Sequence, residues 1–320
     1  MENLIRLFAD YYNKTDFRRF QNSFSMDIYN TLGKSYSSNH NEVAMVTDLC
    51  SIINGKEFDK LKFYSKKIHG SRSYVEFNNR DKPVTTELAD MVIIAVATRR
   101  KDIIYEKIGL IQNKKSEEND SWKIDENQLF LLHNFPSFIG KRGIFKKGFD
   151  NEVVFLNHTD SLGNYGLFLT PGEFVVVNAL TIFKAQQGHK VKFEELKKLT
   201  EKRIKNANAI TGLCFDHPLW DEMLYRNSKY LSKYGVPFFD LPFLGTSTVS
   251  LNVHEFIRNW TLFNFGEVAS FSGHVMDDDL SQFTRLLLRQ AGLSNVINLN
   301  VDAQEPDHDL TIMVLHVSLD

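Results

Sequence analysis

The sequence predicts an α/β protein built on a mixed central sheet flanked by helices, and three observations carry that prediction. Residues 91–97 (MVIIAVA) are apolar and rich in β-branched side chains, as expected of a central strand covered on both faces. Residues 105–114 (YEKIGLIQNK) follow the short polar segment TRRKD and read as a second strand. On either side lie segments with apolar residues at helical spacing.

Taken in order, the first 70 residues read as helical. Val43, Val46, Cys50 and Ile53 form a stripe that Met45 and Leu49 widen, and Gly55 supplies a stop. Residues 72–77 (RSYVEF) read as a short strand ending in the polar turn NNRDKP, and Pro83 bars that stretch from a central position. After the two strands, residues 124–134 (IDENQLFLLHN) read as a helix that ends before Pro136.

The second half carries helix punctuation. Thr170-Pro171-Gly172-Glu173 matches a capping box with Pro at the first helical position, opening a helix toward Gly188. Residues 193–206 form a charge-laced amphipathic helix, and residues 218–234 another that ends at Gly235. Asn252 caps a helix running through Phe263, and Asp278 or Asp279 starts one that closes before Gly292. Residues 310–319 (LTIMVLHVSL) read as a strand. The only linker candidates are residues 115–122 and 141–150. The expected organisation is a core over residues 1–145 with a mainly helical region, residues 146–320, packed on it.

Composition excludes some classes. Of 320 residues, 42% are hydrophobic and 24% charged, which is ordinary for a folded chain; 26 Phe point to an aromatic-rich core. Cys50 and Cys214 lack metal-type spacing, and the opening MENLIRLFADYYNKTDF is charged throughout. Both facts argue against a disulfide framework and for a reducing, cytoplasmic setting. The apolar run at 91–97 is far shorter than the about 20 residues a bilayer span needs. A formal charge of −2 argues against a broadly basic nucleic-acid coat but leaves room for local patches.

The chemistry concentrates around the two strands. Asp90 stands at the mouth of the first, three residues after Glu87, and Gln112-Asn113-Lys114 lies near the end of the second. Residues two apart in a strand share a face, so Gln112 and Lys114 project together. If the strands are adjacent and antiparallel, Asp90 shares their end of the sheet. A carboxylate, an amide oxygen and an ammonium then converge, which suits phosphodiester hydrolysis. Mg²⁺ takes oxygen ligands and is commonly held by one or two carboxylates plus a substrate phosphate. A nearby lysine can orient water or stabilise charge on the phosphate oxygens.

On these residues the chain resembles the PD-(D/E)XK nuclease superfamily, the restriction-endonuclease-like fold, over roughly residues 40–140. ELAD, an apolar strand and IQNKK look like its Q-x-K variant, found in Mrr-like restriction enzymes and phage-defence nucleases. The resemblance implies Asp90 as metal-binding carboxylate, Gln112 as second metal-side ligand and Lys114 as catalytic lysine, with Mg²⁺ or Mn²⁺ as cofactor. It also implies accessory roles for Gln128 on the following helix and for an upstream Glu, with Glu76, Glu87 and Glu42 as candidates in decreasing order. Gln112 carries one negative charge fewer than the acidic consensus, so the metal site needs a further carboxylate, from Glu76 or Glu87.

Each residue also has a plainer reading. Asp90 before an apolar run is commonly a turn or cap, Lys114-Lys115 a solvated strand end, and Gln128 an exposed helical residue. Order, spacing and strand parity together favour a site. Arg99, Arg100, Lys101 and Lys115 are the expected nucleic-acid contacts, with Lys141-Arg142 and Lys146-Lys147 as further basic groups. His254-Glu255 lacks the second His of a zinc helix, since Arg258 stands in its place; Asp277-Asp278-Asp279 reads as a helix start, and Gly245-Thr246-Ser247 is no P-loop. The expected function is a Mg²⁺-dependent DNA nuclease of a restriction or phage-defence system, acting alone or as a homodimer. Its alternatives are a catalytically silent nuclease-fold subunit that docks a protein partner through the C-terminal region, and an RNA nuclease.

Overall fold

A computed structural model describes residues 2–68, 71–116, 120–142, 152–157, 160–207, 249–271, 274–299 and 308–320. Three helices open the chain: α1 (Glu2–Asn13), α2 (Thr15–Ser37) and α3 (Glu42–Ile53). Strands β1 (Glu57–Phe58), β2 (Leu61–Ile68) and β3 (Ser71–Arg72) precede the hairpin of β4 (Tyr74–Asn79) and β5 (Lys82–Glu87). Next come β6 (Met91–Arg99), β7 (Asp102–Lys115), β8 (Ser121–Lys123), α4 (Glu126–Asn134) and β9 (Phe138–Gly140). The second half adds β10 (Gly163–Leu169), β11 (Glu173–Asn178), α5 (Ala179–Ala185), β12 (Lys190–Lys192) and α6 (Phe193–Ala207). It ends with β13 (Val249–Ser250), α7 (Val253–Thr261), β14 (Glu267–Phe271), β15 (His274–Val275), α8 (Asp278–Gln290) and β16 (His308–Ser318).

The large mixed sheet runs β1-β2-β16-β6-β7-β10-β11-β13. β6 is antiparallel to β7 and parallel to β16, while β10 lies parallel to β7. The continuous apolar character of β6 follows from cover on both faces. Met91, Ile93, Ala95 and Ala97 pack in one core with α1–α3 and α7; Val92, Ile94 and Val96 pack in the other with α4, α5 and α8. Because both faces are apolar, side-chain pattern alone does not set the register of β6. The tight β6–β7 turn sets it, with positive φ at Arg100 and Lys101.

Several expectations are corrected. Residues 61–68 form a strand, not a helix: Leu61 and Phe63 are buried while Lys62 is exposed, an alternation at period two that pairs with β16. Thr170-Pro171-Gly172 is the turn of the β10–β11 hairpin rather than a helix cap, with a cis Thr170–Pro171 bond. The run Phe174-Val175-Val176-Val177 that follows is buried and pairs with β10 and β13, so the β-branched residues form a strand. The C-terminal half is not a mainly helical part beside a finished core, because β10, β11, β13, β14 and β16 all belong to the large sheet. Pro83 does sit on an edge strand, β5, of a separate three-stranded sheet. The expected helix at 218–234, Cys214 and Gly245-Thr246-Ser247 lie outside the described residues, as do Lys146-Lys147 and most of the 141–150 linker.

Candidate active site

The β6–β7 register pairs Met91 with Ile111, which brings Asp90 beside Gln112. The Asp90 backbone N–H donates to the Ile111 carbonyl (3.0 Å), and the Asp90 carbonyl accepts from Thr311 N–H of β16 (3.1 Å). Asp90 Oδ2 accepts from Gln112 Nε2 (2.5 Å) and from the Asn113 backbone N–H (2.8 Å). Asp90 Oδ1 receives no hydrogen bond from a described residue.

Gln112 and Lys114 continue the β7 row of Ile108 and Leu110, the face that packs against α4. There Gln128 meets them. Asp125 caps α4, its Oδ1 accepting from Gln128 N–H (2.9 Å), and so fixes the first helical turn. The buried Gln128 side chain then donates from Nε2 to Gln112 Oε1, with a longer contact to the Glu87 carbonyl (3.4 Å). Gln128 is a member of the cluster rather than an exposed helical residue. The order of donation also alters the expected role of Gln112. Its nitrogen faces Asp90 and its oxygen is held by Gln128, so Gln112 braces the carboxylate instead of presenting an amide oxygen as a ligand.

Lys114 lines the same cavity of ≈350 Å³ as Asp90, Gln112 and Gln128. Glu42 and Glu87 line it too, Glu42 placed by the Asn41-capped start of α3. Glu42 Oε1 accepts from the Lys115 N–H (2.8 Å). Burial pushes the Asp90 carboxyl up to about 6. The Asn113 N–H, the Lys114 ammonium and the Gln112 amide oppose that rise, and Glu42 adds to it.

Other expected residues lie elsewhere. Glu76 is not among the residues lining the cavity; it pairs with Lys141 (2.7 Å). Arg99, Arg100 and Lys101 form the β6–β7 turn at the opposite end of a nine-residue strand from Asp90. At about 3.3 Å per residue that separation approaches 30 Å, so they do not serve this site. Lys115 is adjacent, yet its ammonium is held by the His40 carbonyl (2.7 Å) and Asn39 Oδ1 (3.3 Å) over the Tyr36 ring. Glu255 and Asp277 serve helix starts: Asn252 Oδ1 accepts from the Glu255 N–H and Glu255 Oε2 from the Leu251 N–H at the start of α7, and Asp277 caps α8.

No family model matches this chain. Searches of curated proteins and of solved structures find no match either.

Sequence reasoning missed Tyr165, directly opposite Gln112 in the parallel β7–β10 register. Its hydroxyl is buried without a hydrogen-bond partner among the described residues, and desolvation, Asp125 and Asp90 all raise its pKa. It also missed the second cavity, ≈500 Å³, that adjoins the first and shares Glu42, Lys114 and Asp125 with it. Lys123 and His189 line that cavity. The spacing Asp125-x-x-Gln128, a capping pattern, is the signal that could have placed the start of α4 here.

For a divalent metal the donor set is small but of the right kind. Asp90 offers Oδ1, and Glu42 and Glu87 bring further carboxylates to the cavity. No group of three or more His, Cys, Asp or Glu suited to a metal occurs among the described residues. Oxygen donors of this kind are the ones Mg²⁺ takes, with water and a substrate phosphate commonly completing its shell.

Proposed function

We propose that this protein is a Mg²⁺-dependent phosphodiesterase that cleaves DNA, with a PD-(D/E)XK-type site at Asp90 and Lys114. One observation carries the reading: a carboxylate with one oxygen held by two donors and the other unengaged shares a cavity with a lysine. The mixed sheet flanked by helices and the antiparallel β6–β7 pair support the same reading.

In this mechanism Asp90, with Glu42 or Glu87, would hold the metal, and Lys114 would face the reacting phosphate. The bound ion would polarise the phosphate and acidify a coordinated water. The Lys114 ammonium stabilises charge developing on the phosphate oxygens and orients the attacking water. Gln112 and Gln128 contribute by fixing the Asp90 carboxylate, as partners behind metal ligands commonly do.

The test incubates the full chain with plasmid, linear duplex, single-stranded DNA and RNA, in Mg²⁺, Mn²⁺ or EDTA. Cleavage that needs metal and is lost in Asp90→Ala and Lys114→Ala is the expected result. Cleavage indifferent to both substitutions overturns the assignment. Preference for RNA would move the same chemistry to the RNA reading.

A second reading, a catalytically silent member of the same fold, is favoured by one feature. Gln128 occupies the Gln112 oxygen that would otherwise face a metal. Nucleic-acid binding without cleavage under every metal condition would select it.

A further inference from the structure

The second cavity, ≈500 Å³, opens on the other side of the wall formed by Glu42, Lys114 and Asp125, which it shares with the Asp90 cavity. Beyond that wall its polar lining includes Lys123 at the end of β8, Asn127 in the first turn of α4 and His189 just before β12. Three separate stretches of chain thus meet around one space.

The stretches are tied to one another and to the site. β8 pairs with β12, and the Ile124 N–H donates to the His189 carbonyl (2.9 Å). Trp122 is buried and donates from Nε1 to the Phe168 carbonyl of β10 (3.1 Å). β10 is the neighbour of β7, which carries Lys114. Lys123 is exposed but stands between two buried residues, Trp122 and Ile124, whose bonds hold its backbone in fixed relation to Lys114.

The acceptors of the lining are engaged and some of its donors are not. Glu42 accepts from the Lys115 N–H (2.8 Å), Asp125 from the Gln128 N–H (2.9 Å), and Glu126 pairs with His189 Nδ1 (3.3 Å). The Lys123 ammonium makes no hydrogen bond or ion pair among the described residues. Asn127 Oδ1 accepts from Asn79 Nδ2 (3.1 Å), which commits the oxygen end of that amide. Its Nδ2 end has no partner among the described residues. An ammonium and an amide N–H have one kind of ligand in common, an oxygen-rich anion, and phosphate oxygens accept from both.

We infer that this cavity is a subsite for the phosphate next to the one cleaved, with Lys123 Nζ and Asn127 Nδ2 as its donors. The inference rests on the nuclease reading, which puts the cleaved phosphate in front of Lys114. Lys114 belongs to both cavities, so a strand whose scissile phosphate lies in the first carries its neighbouring phosphate into the second. Such contacts fix the register of the strand and carry no base preference.

The test measures binding of a labelled DNA oligonucleotide to the full chain in EDTA, by fluorescence anisotropy across a salt series. Wild type is compared with Lys123→Ala, Lys123→Arg, Asn127→Ala and, at the far turn, Arg99→Ala/Arg100→Ala. Lys123→Ala is expected to bind ~10-fold more weakly with a log–log salt slope reduced by about one, and Lys123→Arg to restore the slope. Asn127→Ala should weaken binding with the slope unchanged, because an amide displaces no counterion; the far-turn variant should match wild type. Equal affinity and slope in Lys123→Ala overturn the inference even if wild type cleaves DNA in a metal- and Asp90-dependent way. A slope that falls alike in Lys123→Ala and Lys123→Arg means that the lysine acts through packing, which also overturns it. A loss confined to inorganic phosphate in isothermal titration, with the oligonucleotide unaffected, makes the cavity a small-anion site and overturns it too. Binding that depends on Lys123 and Asn127 without any cleavage keeps the phosphate site and removes the nuclease reading. Failure of wild type to bind overturns both.

Discussion

The side chain of Gln128, on the first turn of α4, donates to the side-chain oxygen of Gln112, on β7, and so fixes which end of the Gln112 amide meets Asp90. An amide has one donor end and one acceptor end. Occupying the oxygen from behind commits the nitrogen to the carboxylate, leaving Asp90 braced through one oxygen.

Gln128→Ala removes that constraint and lets the Gln112 amide turn. The expected effect is a rise of about 10- to 100-fold in the Mg²⁺ concentration needed for half-maximal cleavage, as for other partners behind metal ligands. Metal titration of the cleavage rate checks it. Circular dichroism should show the helix content unchanged, since the α4 cap is a backbone contact to Asp125.

Asp90 should also leave a signature in stability. Its folded pKa, about 6, lies above its ordinary value of 3.8, so the folded state holds the proton more tightly. Ionising Asp90 therefore destabilises the fold, by an amount that grows between about pH 4 and 6 and is complete above 6. Asp90→Asn keeps an acceptor for Gln112 and Asn113 without the charge. It is expected to raise metal-free stability at pH 8 on the order of 2 kcal/mol, with the gain vanishing below pH 4. Urea unfolding at several pH values measures this. The same variant should not cleave.

Proton and metal compete for the same carboxylate. Mg²⁺ affinity should be constant above about pH 7 and fall roughly tenfold per pH unit below about 6. Isothermal titration with Mg²⁺ from pH 5 to 8 reads the midpoint directly. A flat profile would show that Asp90 is not a ligand.

Tyr165 carries a buried hydroxyl with no hydrogen-bond partner among the described residues. Deleting a buried, unsatisfied hydroxyl returns its desolvation penalty, so Tyr165→Phe should stabilise the protein by about 1 kcal/mol in urea unfolding. Loss of stability would mean that the hydroxyl has a partner in solution.

Asp277 caps α8 through the Leu280 N–H (3.0 Å) and pins the distant segment 152–157 through the Leu156 N–H (2.6 Å). Asp277→Ala should cost about 1–2 kcal/mol in thermal unfolding while leaving cleavage intact.

The sequence revealed those parts of the fold that depend on local pattern. β6, β7, α4 and β16 announced themselves through apolar runs, strand parity, helical spacing and a stop before Pro136. The convergence of Asp90, Gln112 and Lys114 followed from two antiparallel strands alone. Thr170-Pro171-Gly172-Glu173 fits a helix cap and a hairpin turn equally well by composition, and pairing of the next four residues decided between them. Arg99–Lys101 misled because nearness in sequence across a hairpin becomes distance in space. Lys123 and Tyr165 were hidden for the converse reason: β8 and β10 reach the site only through tertiary packing, which also brings in Glu42, the last-ranked of the three upstream candidates.

The placement of β16 has a consequence for how the molecule comes into being. β2 and β6 are made early in synthesis but do not touch as neighbours; β16 lies between them, and its Thr311 N–H completes the bonding of Asp90. Until that strand arrives, two apolar edges in the middle of the sheet stay open and Asp90 lacks one of its backbone anchors. Such long-range closure is slow and leaves nascent chains exposed to edge-to-edge association. It also means that a nascent chain short of β16 cannot fully assemble the site, a safeguard for a protein whose proposed activity would act on the cell's own DNA.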